Sequence, residues 1–265
     1  DHQTQSIPRL PADYLPAPST IAESVQRQIA TLHAQHHLSQ YPALLSHLDA
    51  LSTTYLLDAF TQLGWTWHIN QRIAPALVAE QLRVDTKYHR LLSRMLEMLH
   101  EDGLLRRVDD GWEICRLLED HHLPTGQTTQ FTQQPFGSIE LALIERCGQN
   151  LADVLRGQCN PLTLLFPDDL SIGVEQLYRD TPTARALNSI VQHVMSIVLE
   201  QLPADRVIRI LEIGAGTGAT TASIVPILPN ERAEYVFTDI SQAFLARAEQ
   251  QFRTYPFLRY EQLDI

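Results

Sequence analysis

Apolar residues along this chain keep two different rhythms, and the change falls at about Pro203. Before it, spacings of three and four residues predict helices. Ile21, Val25, Ile29 and Leu32 form the first such stripe, and Thr20-Ile21-Ala22-Glu23 fits a capping box at its start. Leu44, Leu45, Leu48, Leu51 and Tyr55 form the second, after Pro42, with Gly64 as its stop. A third stripe, Leu91, Leu92, Met95, Leu96 and Leu99, ends at Gly103. Leu104 to Val108, the turn Asp109-Asp110-Gly111, and Trp112-Glu113-Ile114 then read as a short hairpin. Helices resume over 138–156. Thr181 followed by Pro182 opens another, with Ala184, Leu187, Ile190, Val191, Val194, Val198 and Leu202 as its buried face.

After Pro203 the pattern becomes strand (207–213), helix (217–228), strand (235–239), helix (241–254), strand (258–263). Alternation of this kind predicts an α/β fold with a doubly wound parallel sheet of three strands. The organisation expected is an extended proline-rich arm at 1–18, a helical lid at 19–202, and a partial Rossmann-like core at 203–265. The helix, glycine and hairpin of 88–114 make a winged-helix-like pattern. Its leucine and methionine stripe reads as a packing module rather than a reader of DNA, which would need exposed base and phosphate contacts.

Charge supports that preference. Lys and Arg number 20 against 31 Asp and Glu, a formal net charge of −11, which disfavours a nucleic-acid partner. No apolar run reaches the roughly 18–20 residues of a membrane span. Cys115, Cys147 and Cys159 fit neither a disulfide framework nor a zinc pattern, so a reducing cytoplasmic setting is expected. The pair His121-His122 has no Cys or acidic partner at ligand spacing, and no metal site is expected. His193 reads as a packing histidine on its helix.

The chemistry concentrates at Leu211-Glu212-Ile213-Gly214-Ala215-Gly216-Thr217-Gly218-Ala219, where a strand gives way to a helix. Gly214, Gly216 and Ala219 satisfy the dinucleotide pattern G-x-G-x-x-G/A, and Asp239 follows Gly214 by 25 residues. The same residues satisfy the E-x-G-x-G-x-G loop of S-adenosylmethionine enzymes. A carboxylate beside the loop repels a pyrophosphate, whereas a sulfonium and an ammonium welcome it. Asp239 at the end of the second strand suits ribose hydroxyls, and Asp264 at the end of the third suits an adenine amino group. A nicotinamide oxidoreductase remains the alternative reading of the glycines, and a glycine turn kept only for packing is a third.

With these residues the chain resembles the C-methyltransferase domains embedded in modular polyketide synthases. The likeness runs from about residue 40 to the end. It rests on Leu164-Leu165-Phe166-Pro167, on Leu177-Tyr178-Arg179-Asp180-Thr181-Pro182 with Asn188, on the glycine loop, and on Val236-Phe237-Thr238-Asp239-Ile240-Ser241. Thr254-Tyr255-Pro256-Phe257-Leu258-Arg259-Tyr260 and Leu263-Asp264-Ile265 complete it. The resemblance implies S-adenosylmethionine as cofactor and, as methyl acceptor, the α-carbon of a β-ketoacyl chain on an acyl carrier protein, with neighbouring synthase domains as partners. By position, Glu212, Gly214, Gly216 and Gly218 would hold the methionine end, Asp239 the ribose and Asp264 the adenine, with Tyr178 and Asn188 contributed from the lid.

The family's general base, a histidine with an acidic partner, matches none of the eleven histidines, so no catalytic residue is assigned. The chain alone is therefore expected not to methylate, and a structural role as a shortened pseudo-methyltransferase is the alternative. In the methyltransferase strand order, 207–213 is central and flanked on both sides. With only three strands encoded, its outer edge is expected to be covered by a lid segment, a second copy or an adjoining domain, or else to promote self-association.

Overall fold

The computed structural model describes residues 15–117, 137–167 and 172–265. In chain order the elements are α1 (Pro18–Gln35), α2 (Tyr41–Gln62), β1 (Arg72–Ile73), α3 (Pro75–Gln81), α4 (His89–Glu101), β2 (Leu105–Val108) and β3 (Gly111–Ile114). They continue as α5 (Ser138–Gln149), α6 (Leu151–Leu155), α7 (Pro161–Leu165), α8 (Val174–Arg179), α9 (Pro182–Gln201), β4 (Ile208–Glu212), α10 (Ala219–Ile224), β5 (Ala233–Asp239), α11 (Gln242–Gln251) and β6 (Leu258–Gln262). The chain divides into two compact units, one of residues 39–177 and one of 1–38 with 178–265.

The 39–177 unit is built on α2. Leu44, Leu51, Tyr55 and Leu56 are buried along it, and Gly64 at φ +96° ends it in the left-handed conformation that favours glycine. Leu45 of the expected stripe is exposed, because the buried arc drifts around so long a helix. The hairpin forms as expected, with Leu105 opposite Ile114 and Val108 opposite Gly111. A two-residue strand, β1, joins it, giving the antiparallel order β1-β3-β2. Gly111 permits that addition: a Cβ there would lie 2.5 Å from the Ile73 carbonyl oxygen. Leu92, Met95, Leu96 and Leu99 of α4 pack with Leu105, Trp112 and Ile114 in one core, while Leu91 faces solvent.

In the other unit α1 begins at Pro18, two residues before the expected cap, and Ala17 holds the cap position without a side-chain bond. The capping box at Thr20 is therefore not formed, since proline at the first helical position already fixes the helical φ. Thr181 does cap α9, accepting from the Ala184 N–H at 3.2 Å. The expected buried face of α9 is only partly so: Leu187 is 63% exposed and Val191 37%.

The sheet of this unit is parallel, in the order β4-β5-β6, with Ile210 beside Tyr235 and Tyr235 beside Leu258. Tyr235 and Phe237 are fully buried at its centre, packed with Ile208, Ile224, Leu245 and Phe252. Strand β4 departs from the expectation of burial on both faces. Ile208 is buried and Ile210 partly so, but Val207, Leu211 and Ile213 are exposed, and Arg209 on their side pairs with Glu234 at 3.1 Å. Among the described residues β5 is its only strand partner, so its other edge is unpaired as well. The histidine pair 121–122, and the arm up to residue 14, lie outside the described residues.

Candidate functional site

Three consecutive strand ends and one glycine loop define the site. The loop leaves β4 at Glu212 and enters α10 at Ala219, with Gly214, Gly216 and Gly218 at φ +67°, +56° and +71°. Three such residues in a row of five demand glycine, because a Cβ strains the left-handed region. Their surroundings differ. A Cβ on Gly214 would meet nothing within 4 Å, so this backbone is open to close approach from outside. On Gly218 it would come within 2.9 Å of the Phe252 ring, so that glycine serves inward packing as well.

Asp239, at the end of β5, sets the shape of the loop. Its Oδ2 accepts from the Gly216 N–H at 2.9 Å and its Oδ1 from the Ser241 N–H at 2.8 Å. The Thr238 carbonyl accepts from the Ala215 N–H at 2.9 Å, and the Thr238 hydroxyl donates to the Glu212 carbonyl at 2.7 Å. The second strand end is thus laced to the loop by main chain and side chain together. Asp239 is only 6% exposed, but each carboxylate oxygen has a second lone pair for a further donor.

Glu212 alternates with Leu211 along β4 and lies on the face that carries Ile208 and Ile210. Its Oε2 accepts from the Tyr235 phenol at 2.8 Å and from the Thr221 hydroxyl at 2.5 Å. Burial pushes its carboxyl above the ordinary glutamate value, and the two hydroxyls pull it back. The phenol of Tyr235 is pushed up, by burial first and then by the neighbouring carboxylate.

The remaining expected residues are placed less evenly. Asn188 bridges two segments: its amide donates to the Tyr178 carbonyl at 3.2 Å, and its Oδ1 accepts from the Thr220 hydroxyl at 3.3 Å, in the first turn of α10. Tyr178 itself is 58% exposed. Both belong to the compact unit that holds the glycine loop. Asp264 does not end a strand, as β6 stops at Gln262 and Asp264 is an exposed residue two positions later. Gln262 occupies the strand end instead, accepting from the Gln242 amide at 2.6 Å and donating to the Ile240 carbonyl at 3.0 Å.

Sequence reasoning missed Thr221, Tyr235, Thr238, Ile240 and Gln262. A signal existed for Tyr235, a phenol inside an otherwise apolar strand run whose hydroxyl needs a buried partner. Ile240, 59% exposed just after Asp239, offers an apolar surface at the strand ends. The chemistry of the whole set suits a nucleoside carrying positive charge: open loop backbone, two carboxylates with spare acceptor capacity, and apolar Ile213 and Ile240 beside them.

Comparison with known proteins gives the family and the fold independently of this geometry. Residues 211–265 match a methyltransferase domain family. The non-reducing polyketide synthase mapC of Penicillium brevicompactum is 30% identical over 227 residues, covering 81% of this chain and 9% of that protein. The chain thus spans about a tenth of the length of the curated relatives it matches. Among solved structures, the CurJ carbon methyltransferase superposes with a TM-score of 0.86 at 33% identity, over 93% of this chain and 66% of that one. The DszA carbon methyltransferase gives 0.76 at 28% identity, over 95% and 62%.

Proposed function

The chain belongs to the carbon-methyltransferase domain family of polyketide synthases, and from that premise we propose that it forms the S-adenosylmethionine-binding part of such a domain. In the assembly line it serves methyl transfer to the α-carbon of a β-ketoacyl chain presented by an acyl carrier protein, in the cytoplasm, beside other synthase domains. The observation that carries the reading is the open backbone at Gly214 between two carboxylates, Glu212 and Asp239. A pyrophosphate would meet two negative charges there; a methionine moiety with its ammonium meets acceptors.

When bound, S-adenosylmethionine supplies an electrophilic methyl group on a sulfonium. The residues of this chain bind and orient. Gly214 lets the main chain approach the methionine end closely, and Glu212 offers the ammonium an acceptor. Asp239, already fixed by two backbone N–H groups, receives the ribose hydroxyls without having to reorganise. Ile240, exposed just after Asp239, would offer the base an apolar surface, and Asn188 ties the first turn of α10 to the segment at Tyr178. Asp264 is retained as the adenine acceptor, from the exposed stretch after β6.

Calorimetric titration with S-adenosylhomocysteine and with NAD tests the proposal. The homocysteine nucleoside is expected to bind and NAD to fail to displace it. Heat from NAD with none from S-adenosylhomocysteine overturns the reading and restores the nicotinamide alternative. Among the described residues no helix is long and apolar enough to cross a membrane.

A further inference from the structure

Glu212 is held in an unusual way for a residue at a ligand loop. One oxygen, Oε2, takes both hydroxyl donors, Thr221 from α10 and Tyr235 from β5. The main-chain carbonyl of the same residue is fixed by Thr238. Among the described residues nothing donates to Oε1, although Glu212 is half-buried. Thr221 and Tyr235 are themselves 0% and 1% exposed, so both hydroxyls would be stranded without the carboxylate. Two buried donors on one oxygen fix the plane of the group and reserve the other oxygen.

We infer that Thr221 and Tyr235 are positioning residues for the cofactor site: they clamp Glu212 through Oε2 so that Oε1 is left, charged and aimed, for the ammonium of the bound nucleoside. The inference rests on the cofactor reading above. Its physical content is that burial disfavours the carboxylate of Glu212 and the two hydroxyls restore it. The groups facing it are few. On the same face of β5 the titratable groups are Tyr235 and, at the strand end, Asp239, which is held by the Gly216 and Ser241 N–H groups; Thr221 and Thr220 on α10 are neutral. On α9, stacked against α10, Arg185 lies 3.8 Å from Asp180, His193 is engaged by Ser24 and Gln28, and Glu200 is exposed. From β6 and α11, the Tyr260 phenol is pushed up by burial first and then by the Glu249 carboxylate. Removing either hydroxyl therefore pushes the Glu212 carboxyl further up and empties the charged form from the acid side.

The test compares two probes on the intact chain: S-adenosylhomocysteine, which carries the ammonium, and 5′-methylthioadenosine, which keeps the nucleoside and lacks the amino-acid head. Tyr235→Phe and Thr221→Val are expected to weaken S-adenosylhomocysteine by roughly three- to tenfold each at neutral pH, the scale of one hydrogen bond. Methylthioadenosine affinity should change less than about twofold. The pH below which S-adenosylhomocysteine binding is lost should move upward in both variants, and Thr221→Ser, which keeps the hydroxyl, should restore the wild-type profile. Equal losses for both probes, or an unmoved acid limb, overturn the inference and leave the cofactor reading standing. A wild-type chain that binds neither probe overturns both. Carbon-detected titration of the Glu212 carboxyl in the free protein gives an independent reading: no upward move in Tyr235→Phe refutes the clamp.

Discussion

Replacing Asp239 tests how far the glycine loop depends on one side chain. The carboxylate is 6% exposed and accepts from Gly216 and Ser241, one backbone N–H on each oxygen. Asp239→Asn keeps the shape but puts an NH2 group where one oxygen was, so one backbone donor faces another donor. A hydrogen bond to a charged acceptor is worth about 1.5–3 kcal/mol, and a buried donor left without a partner costs about 1–3 kcal/mol. These overlap rather than add, so roughly 2–4 kcal/mol of loop stability should go. Asp239→Ala strands both donors but admits water, and falls in the same range or slightly above. Hydrogen exchange resolves the effect locally: at 1.4 kcal/mol per factor of ten, the Gly216 and Ser241 amides should exchange on the order of 30-fold faster or more. Trp65, Trp67 and Trp112 all lie in the other compact unit, so their fluorescence checks that the rest of the chain still folds. Unchanged exchange at both amides in a folded Asp239→Asn chain would refute the argument.

Gly148→Ala sets helix propensity against packing: alanine gains about 1 kcal/mol within α5, but its Cβ would lie 2.2 Å from Cγ of buried Tyr55, and overpacking costs about 1–3 kcal/mol. A net loss of about 1 kcal/mol or more is expected in urea melts followed by tryptophan fluorescence; a stabilised variant contradicts it. Glu212→Gln separates stability from binding. The folded carboxyl lies above its ordinary value of 4.5, so the stability it contributes is present in full below that value and is lost as pH rises through the folded value. Melting temperatures of wild type and Glu212→Gln should therefore converge or cross in the glutamine's favour toward pH 8, while S-adenosylhomocysteine binding falls. A glutamine variant whose deficit grows with pH refutes the sign. His193→Ala removes contacts to Ser24 at 3.0 Å and Gln28 at 3.1 Å, and should speed amide exchange across α1 by several-fold, a cost of about 1 kcal/mol; unaltered exchange there refutes a tethering role.

Periodicity located the elements well where one face is buried and a stop residue follows. Gly64 and Gly103 end their helices in the left-handed conformation as expected, and Pro182 with Thr181 opens α9. It located side chains less well. The stripe on α9 contains as many apolar residues as a buried helix needs, yet Leu187 and Val191 are exposed, because spacing reports what a face is suited to and not what covers it. Motif reading found the glycine loop and Asp239, since positive φ and a strand-end acid leave marks at fixed offsets. It missed the partners of Glu212, because Thr221 and Tyr235 come to it from other elements: the first across the strand–helix turn, the second diagonally from β5. Asp264 was placed by its offset from the strand pattern, and β6 ends two residues earlier than that offset assumes.

Strand β4 shows how a sequence can specify burial that the described residues do not supply. Val207, Leu211 and Ile213 are residues of a strand covered on both faces, yet they are 44%, 58% and 52% exposed. The opposite face of the same strand is packed in the core, where Glu212 finds its two hydroxyls. One strand therefore carries both the most finished part of the site and its least finished side. The CurJ carbon methyltransferase is longer, with this chain spanning 66% of it. An unpaired edge with exposed apolar side chains is a template for another strand, and in water it favours association. The geometry at Glu212 and Asp239 does not wait on that edge, because the bonds that shape it come from β4, β5, α10, the glycine loop and Ser241 just after β5. On the proposed reading, nucleoside binding and surface completion are thus separable, the first resting on contacts already made and the second on side chains left exposed among the described residues.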